Sequence, residues 1–157
     1  MPSRRKLIEL DDDEIRDYLD SEKTLIIVGN GHNGYPHPMP MWFARDDDGT
    51  IRCTTFGKSQ KVLNWRRDPK ATLLVESGVE YAELKGVMIY ATCEVIDDVD
   101  TVTDTLVAIN SRGPELDDAA TAKLRETVSA TAAKRVVLQF TPVRYVTWDH
   151  AKLGGRY

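Results

Sequence analysis

Short apolar runs alternate with polar turns along most of the chain, and this pattern predicts a fold built mainly of β-strands. About six strands are expected, over residues 24–30, 37–45, 51–56, 70–77, 80–97 and 135–148, and the segment 80–97 is either one long strand or a bent pair. Residues 37–45 alternate between two faces, one made of Met39, Met41 and Phe43 and the other of Pro38, Pro40 and Trp42. Because proline donates no N–H to a strand ladder, part of this strand is expected at a sheet edge or a bulge.

Two further positions mark irregularities in the predicted strands. Gly86, inside the fifth strand, predicts either a bulge or a close approach of another group to the backbone. Pro142 is expected to interrupt the last strand, which resumes after it. The polar stretch RDDDGT at residues 45–50 predicts a hairpin-type turn between the second and third strands.

Three regions have the apolar spacing of helices. Aspartates at 11–13 are placed to cap a helix whose apolar residues are Ile15, Tyr18 and Leu19. A short helix over 59–68 ends at Asp68-Pro69 and is expected to bury Val62, Leu63 and Trp65. A helical pair then occupies about 99–133, broken at the SRGPEL segment, with apolar stripes of Val102, Leu106 and Ile109 and of Leu124, Val128 and Ala132.

Strands that follow one another with few crossover helices indicate a mainly antiparallel sheet. About six such strands remove their exposed edges by closing into a small barrel. The sequence therefore predicts a mainly β (α+β) fold, a six-stranded antiparallel barrel with peripheral helices. We expect one domain over residues 1–157, with the helical pair at about 99–133 as an insertion.

Composition limits the possible functions. The formal net charge is −4 and the isoelectric point is about 5.4, which argues against general nucleic-acid binding. The charged N-terminal segment lacks the apolar core of a signal peptide, and no apolar run approaches transmembrane length. Cys53 and Cys93 lie in predicted strands and match no metal or redox spacing, so we expect buried, reduced thiols in a cytoplasmic protein without membrane contact.

The segment TTFGKSQKVLNW, residues 54–65, contains the Gly-Lys-Ser tripeptide that closes a nucleotide-binding P-loop. The pattern fails because Arg52 stands where the first glycine is required. The segment nevertheless favours an anion. Thr54, Thr55 and Ser59 offer hydroxyl groups, and Lys58 and Lys61 bring two ammonium groups to a predicted helix N-terminus, where unpaired amides and the helix dipole attract negative charge. The alternative is a capped helix with two solvated lysines.

No side chain supplies an obvious catalytic group. His32, His37 and His150 have no Cys, Asp or Glu at a metal-ligand spacing, so a metal site is not expected and His37 is assigned a structural role. The carboxylates cluster in turns and helix starts, and a nucleophile motif is missing. An enzyme with this sequence therefore requires a cofactor to carry the chemistry. Three aromatic residues lie in or near predicted strands, namely Trp42, Tyr81 and Trp148. They are candidates to line a pocket for a flat ring, and the alternative is that they are ordinary packing residues.

Taken in order along the chain, these segments resemble the pyridoxamine 5′-phosphate oxidase-like split β-barrel superfamily. The similarity runs from about Thr24 to Trp148 and is greatest to the branch that includes reductases dependent on the deazaflavin coenzyme F420. Its most specific pieces are Ser59-x-Lys61 with Asn64, Arg67-Asp68-Pro69 before a strand, and Gly86-Val87 leading to Ile96-Asp97.

The resemblance implies a homodimer of six-stranded split barrels with an isoalloxazine-type cofactor at the dimer interface. It places the cofactor phosphate against Thr54, Thr55, Lys58, Ser59 and Lys61, with Asn64 part of the same motif. It places the ring along Pro40, Met41 and Trp42. It suggests that the partner chain contributes Tyr81, Trp148 and Arg156.

The resemblance leaves the cofactor and the substrate open. Both FMN and F420 suit the same phosphate corner, and the N-W-R-R-D-P form of the short helix favours F420. The C-terminal arginine–histidine pattern that binds pyridoxamine phosphate in the true oxidase cannot be placed, despite Arg144, His150 and Arg156, so that activity is not expected. The resemblance implies an oxidoreductase that transfers hydride to a small unsaturated or aromatic substrate; the alternative is a flavin or haem carrier, or a redox sensor.

Overall fold

The computed structural model describes residues 3–155, and its strands form an antiparallel sheet with the order β2-β1-β5-β6-β7-β4-β3. The strand bounds are β1 Thr24–Asn30, β2 Pro36–Trp42, β3 Ala44–Arg45, β4 Ile51–Phe56, β5 Lys70–Ser77, β6 Lys85–Ile96 and β7 Arg135–Asp149. The helices are α1 Arg4–Leu7, α2 Asp12–Ser21, α3 Gln60–Arg67, α4 Val99–Asn110 and α5 Asp118–Ala132. Two short 3₁₀ turns cover Tyr81–Glu83 and His150–Leu153. The α+β class with an antiparallel sheet is confirmed.

The prediction of six strands is wrong, because the described sheet has seven. The segment predicted as one strand over 37–45 divides at Phe43, whose side chain is fully buried. Before this residue β2 pairs with β1, and after it β3 pairs with β4 at the opposite end of the sheet. Since one residue joins the two ends of the strand order, the sheet must curl towards itself as a half-barrel.

Strand β2 is an edge strand, as its prolines predicted. Its side chains alternate between exposed and half-buried along the whole strand. Pro36, Pro38 and Pro40 have no N–H, so the donors toward β1 come from the residue that follows each proline, which is His37, Met39 or Met41. The prolines therefore turn only carbonyl groups to the free edge, and the first N–H on that edge belongs to Trp42.

The structure decides between the two interpretations of Gly86 and places the bulge of β7 next to Pro142. Gly86 marks a close approach and not a bulge, because a Cβ there would lie 2.2 Å from Cζ2 of Trp148. The bulge occurs where Tyr90 and Ala91 face Arg144 and Pro142, which makes Val143 the extra residue. Strand β7 continues through Pro142, and the expected interruption is limited to this bulge directly after the proline. Residues 80–84 are also not part of the fifth strand.

The main apolar core fills the inside of the curled sheet and is closed by α2 and α3. It includes Tyr18 and Leu19 from α2, Trp65 from α3, and Cys53 and Cys93 from the strands. A second cluster, around Val102, Leu106, Ala132 and Val137, lies where α4 and α5 cover the other face of β4 and β7. Both helices fall in the segment 99–133.

Helix α2 begins as predicted, with a capping box in which Glu14 N–H donates to Asp11 at 2.8 Å and Asp11 N–H donates to Glu14 at 2.9 Å. In α3, Val62 and Trp65 are buried as expected, but Leu63 is 54% exposed and that prediction is wrong. Val62 and Trp65 share one helix face, and Leu63 lies about 100° away from Val62. Within residues 3–155, no helix combines the length and apolar character needed to cross a membrane.

Candidate functional site

The predicted anion corner lies where β4 ends and α3 begins. The turn between them is fixed by two backbone hydrogen bonds, from Gly57 N–H to the Lys134 carbonyl and from Ser59 N–H to the Phe56 carbonyl, both 3.0 Å long. The first turn of α3 consequently sits directly past the end of the strand, next to the start of β7.

Ser59 occupies the N-cap position of α3, as predicted, but its hydroxyl does not cap the helix. Its backbone is extended, and its Oγ lies 3.5 Å from Oγ1 of Thr55 instead of accepting from a helix amide. Helices α2, α4 and α5, in contrast, are each capped by the aspartate before them. Val62 N–H donates to the Ser59 carbonyl at 3.1 Å, so the Gln60 and Lys61 amides of α3 are the ones open to an external acceptor, together with the two hydroxyl groups.

Thr54 and Thr55 are both buried, but successive strand residues point to opposite faces of a sheet. Thr54 pairs with Val137, which belongs to the apolar cluster beneath α4. Thr55 points the other way, towards Ser59. The structure thus brings Thr55 to the corner with its side chain and separates the Thr54 side chain from it.

The two lysines of the corner differ in their surroundings. Lys58 is exposed, whereas Lys61 is half-buried, and burial lowers the pKa of its ammonium group. Neither forms a salt bridge with any residue in the described part of the chain. A half-buried ammonium group without a carboxylate partner is stabilised by a bound anion, so Lys61 is the stronger candidate for binding one.

Asn64 is buried and links α3 to the strands beside it. Its Oδ1 accepts from Gln60 Nε2 at 3.0 Å and from Arg67 Nη2 at 3.4 Å, and its Nδ2 lies 3.3 Å from Nδ1 of His37 on β2. Arg67 also donates to the carbonyl of Asn30 at the end of β1. These bonds hold α3 against the start of β2, and with it the position of the open first turn.

The predicted ring-binding residues lie on the edge strand β2, towards its end. Met41 is half-buried, whereas Pro40 and Trp42 point outwards and Trp42 is 52% exposed. The Lys23 ammonium lies 4.0 Å from the centre of the Trp42 ring, in a cation–π contact. An exposed indole on a free strand edge provides a flat apolar surface for a planar ligand.

The residues assigned to the partner chain lie far from the corner of their own chain. Thr55 pairs with Val136, and Trp148 lies a dozen residues further along β7, roughly 40 Å of extended strand. Trp148 covers Gly86, and the exposed Tyr81 contacts the His150 ring at 4.4 Å. Arg156 is outside the described residues. One chain therefore does not bring Tyr81 or Trp148 to its own corner.

One functional candidate was missed by the sequence analysis. His37, assigned a structural role, lines a cleft of about 230 Å³ together with Gln60 and Asn64 of α3 and with His32 and Tyr35 of the β1–β2 loop. No sequence spacing connects these segments, because the fold alone joins them. Among the described residues, no three His, Cys, Asp or Glu side chains form a group that could hold a metal ion.

Comparison with known proteins gives a family match over most of the chain. The family model described as pyridoxamine 5′-phosphate oxidase matches residues 11–149. A search of curated proteins found no match.

Solved structures share the fold. The conserved hypothetical protein Rv2991 of Mycobacterium tuberculosis is 33% identical, with a TM-score of 0.86, and the match covers 98% of this chain and 93% of that chain. A protein described as F420 Reductase is 20% identical, with a TM-score of 0.61 and coverage of 83% and 94%. A FAD-binding protein from Mesorhizobium loti is 14% identical, with a TM-score of 0.58 and coverage of 88% and 92%. The last two likenesses concern the fold alone.

Proposed function

Because the chain belongs to the pyridoxamine 5′-phosphate oxidase family, we propose that it is an oxidoreductase that binds a phosphate-bearing flavin-type cofactor, F420 in preference to FMN. The proposed reaction is hydride transfer to a small unsaturated or aromatic substrate. The preference for F420 is supported by the N-W-R-R-D-P form of α3 and by the F420 Reductase among proteins of the same fold. We further propose that the curled sheet of each chain is the split barrel of this family and that two chains form a homodimer.

The observation that carries this proposal is the open first turn of α3 beside an unpaired, half-buried lysine. The amides after Ser59 have no side-chain cap, and burial of Lys61 lowers the pKa of its ammonium group without a compensating carboxylate in the described residues. The Gln60 and Lys61 amides and the hydroxyls of Thr55 and Ser59 would donate to a phosphate at this position, and the Lys61 ammonium would neutralise its charge. The residues present therefore fit the phosphate of either cofactor.

When bound, the cofactor ring supplies the hydride. The protein's part is to anchor the phosphate through Lys61, Ser59 and Thr55 and to support the ring against Trp42 and Pro40. Lys58, which is exposed, adds long-range attraction for the anion rather than a specific contact. The side chain of Thr54 faces α4, so its contribution is limited to the backbone at the end of β4.

We propose that a second copy of the chain completes the site. An apolar row crosses the outer face of five neighbouring strands, formed in order by Pro40, Ile26, Leu74, Met88 and Val146. Each of these residues keeps part of its surface exposed in the single chain. A contiguous apolar patch of this kind is typical of a protein interface. Pairing through this face would also supply the partner's Tyr81 and Trp148 to the cofactor ring.

The test is a titration of the purified protein with FMN and with F420, followed by absorbance and fluorescence, to obtain both dissociation constants. We expect F420 to bind more tightly than FMN. Reduced cofactor is then mixed with a panel of unsaturated and aromatic acceptors. Oxidation that requires both protein and acceptor supports the enzyme. Tight binding without oxidation supports the carrier or sensor instead, and failure to bind either cofactor refutes the proposed site.

A further inference from the structure

The amide of Asn64 has a single acceptable orientation. Its Oδ1 receives the Gln60 amide at 3.0 Å and the Arg67 guanidinium at 3.4 Å. Arginine has donors and no acceptor, so the opposite orientation would place the Asn64 NH₂ against a guanidinium N–H. The surrounding chemistry therefore fixes Nδ2 of Asn64 towards His37.

This orientation determines which nitrogen of His37 carries the proton. Asn64 Nδ2 is a donor and lies 3.3 Å from His37 Nδ1, so Nδ1 has to be the acceptor in this contact. In a neutral imidazole the proton is then on Nε2. Asn64 is 2% exposed, which shields this hydrogen bond from competition by solvent. His37 is consequently held with its Nε2–H as a hydrogen-bond donor.

The His37 ring lines the cleft beside the first turn of α3, with Gln60 as its neighbour on the helix. Gln60 is the first residue of α3 and directly precedes Lys61. His32 and Tyr35 also line the cleft, on a loop held by the hydrogen bond from Gly31 N–H to the Tyr35 carbonyl at 2.9 Å. Gln60 thus joins this cleft to the anion corner.

We propose that this cleft is a second binding subsite for an oxyanion, a carboxylate or a phosphate oxygen, and that His37 Nε2–H is its fixed donor. This subsite proposal rests on the proposed function and deepens it, because the first turn of α3 is also the proposed site of the cofactor phosphate. Asn64 acts as a positioning residue that keeps the donor on Nε2. A histidine free to exchange its proton between two nitrogens would offer the donor for only part of the time.

The first experiment reads the tautomer directly, without cofactor. Two-bond ¹H–¹⁵N correlation spectra of the uniformly labelled protein report which ring nitrogen is protonated, and His37→Gln identifies the signals. We expect the Nε2–H form in the wild type. In Asn64→Asp the carboxylate still accepts from Gln60 and Arg67 but now requires a donor from His37, so we expect a proton on Nδ1. An Nδ1–H wild type, or averaged signals, overturns the proposal.

The second experiment measures binding with FMN and with inorganic phosphate as probes. We expect the His37 Nε2 signal to shift with each ligand, and His37→Phe to weaken FMN binding about tenfold or more, as a lost hydrogen bond to a charged group does. Because His37→Phe also removes the partner of the buried Asn64 amide, its melting temperature should fall, and the affinities are compared at a temperature where both proteins are fully folded. The control is Thr127→Phe, at an exposed position on α5 away from both proposed sites, which should leave the FMN affinity unchanged.

The outcomes separate the two proposals. If FMN binds and the His37 signal does not move, or if His37→Phe binds FMN as the wild type does, the subsite is wrong while the proposed function stands. If neither FMN nor F420 binds, the proposed function is wrong. In that case the subsite proposal is tested by the protonated nitrogen of His37 and by the titration with inorganic phosphate. It is refuted if phosphate does not shift the His37 Nε2 signal.

Discussion

Replacing the two corner lysines separately tests the site most sharply, since their surroundings predict unequal effects. Lys61 is half-buried at the first turn of α3, and a charge-assisted hydrogen bond from such a group contributes about 1.5–3 kcal/mol. Lys61→Met should therefore weaken cofactor binding by about 10- to 100-fold. Lys58 is exposed, and an exposed ion pair contributes about 0–1 kcal/mol, so Lys58→Met should cost no more than about fivefold.

The assay is a fluorescence titration of F420 and FMN at fixed ionic strength, with the melting temperature of each variant measured in parallel. Lys70→Met, at an exposed position beyond the other end of α3, is the matched control and should bind as the wild type does. Raising the salt concentration should reduce the Lys58 contribution more than the Lys61 contribution, because exposed charges are screened more strongly. Equal losses in the two variants, or a larger loss for Lys58→Met, would refute the assignment of the phosphate to the helix turn.

Three further predictions follow from the packing and the charges. Gly86→Ala should destabilise the protein by about 1–3 kcal/mol in chemical denaturation, because its Cβ would lie 2.2 Å from the Trp148 ring, and the loss should largely disappear in a Trp148→Ala background. Met88→Lys should abolish the proposed dimer in sedimentation velocity, since it places a charge within the apolar row, whereas Leu63→Lys, at an exposed position on α3, should not. Finally, burial lowers the pKa of Lys61 from its ordinary value of 10.5, so the protonated side chain disfavours the folded state. As the pH rises towards 10.5, the Lys61 ammonium loses its proton and this cost disappears. The free energy of unfolding of the unliganded wild type should therefore rise relative to that of Lys61→Met. Cofactor affinity should change in the opposite direction, falling over the same pH interval, and a pH-independent difference between the two proteins would contradict this reasoning.

Local patterns predicted much of the fold. The aspartates before α2, the alternation along β2 and the turn at 45–50 each depend on residues close in sequence, and each is present. The turn is closed by Asp46 N–H on the Thr50 carbonyl at 2.8 Å. The seventh strand was missed because the division at Phe43 depends on which strand each half pairs with, and pairing partners are distant in sequence.

The site was harder to predict for the same reason. Hydrophobicity assigned Leu63 to the core of α3, whereas Asn64 is buried in its place, because His37 and Arg67 satisfy its amide. Nothing in the α3 sequence shows that His37 will be adjacent. The separation of Thr54 from Thr55 was predictable from the strand period, but it matters only once α4 is known to cover one face of β4.

The row of proline carbonyls along β2 has a consequence for how the protein assembles. An incoming strand needs donors as well as acceptors to extend a ladder, and this border offers no N–H before Trp42. Polymerisation by addition of strands is therefore blocked at this edge, even though the outer face of the sheet carries the apolar row. The proposed pairing through the sheet surface is self-limiting if it is two-fold symmetric, so with this edge blocked it would give a finite pair and not a fibre.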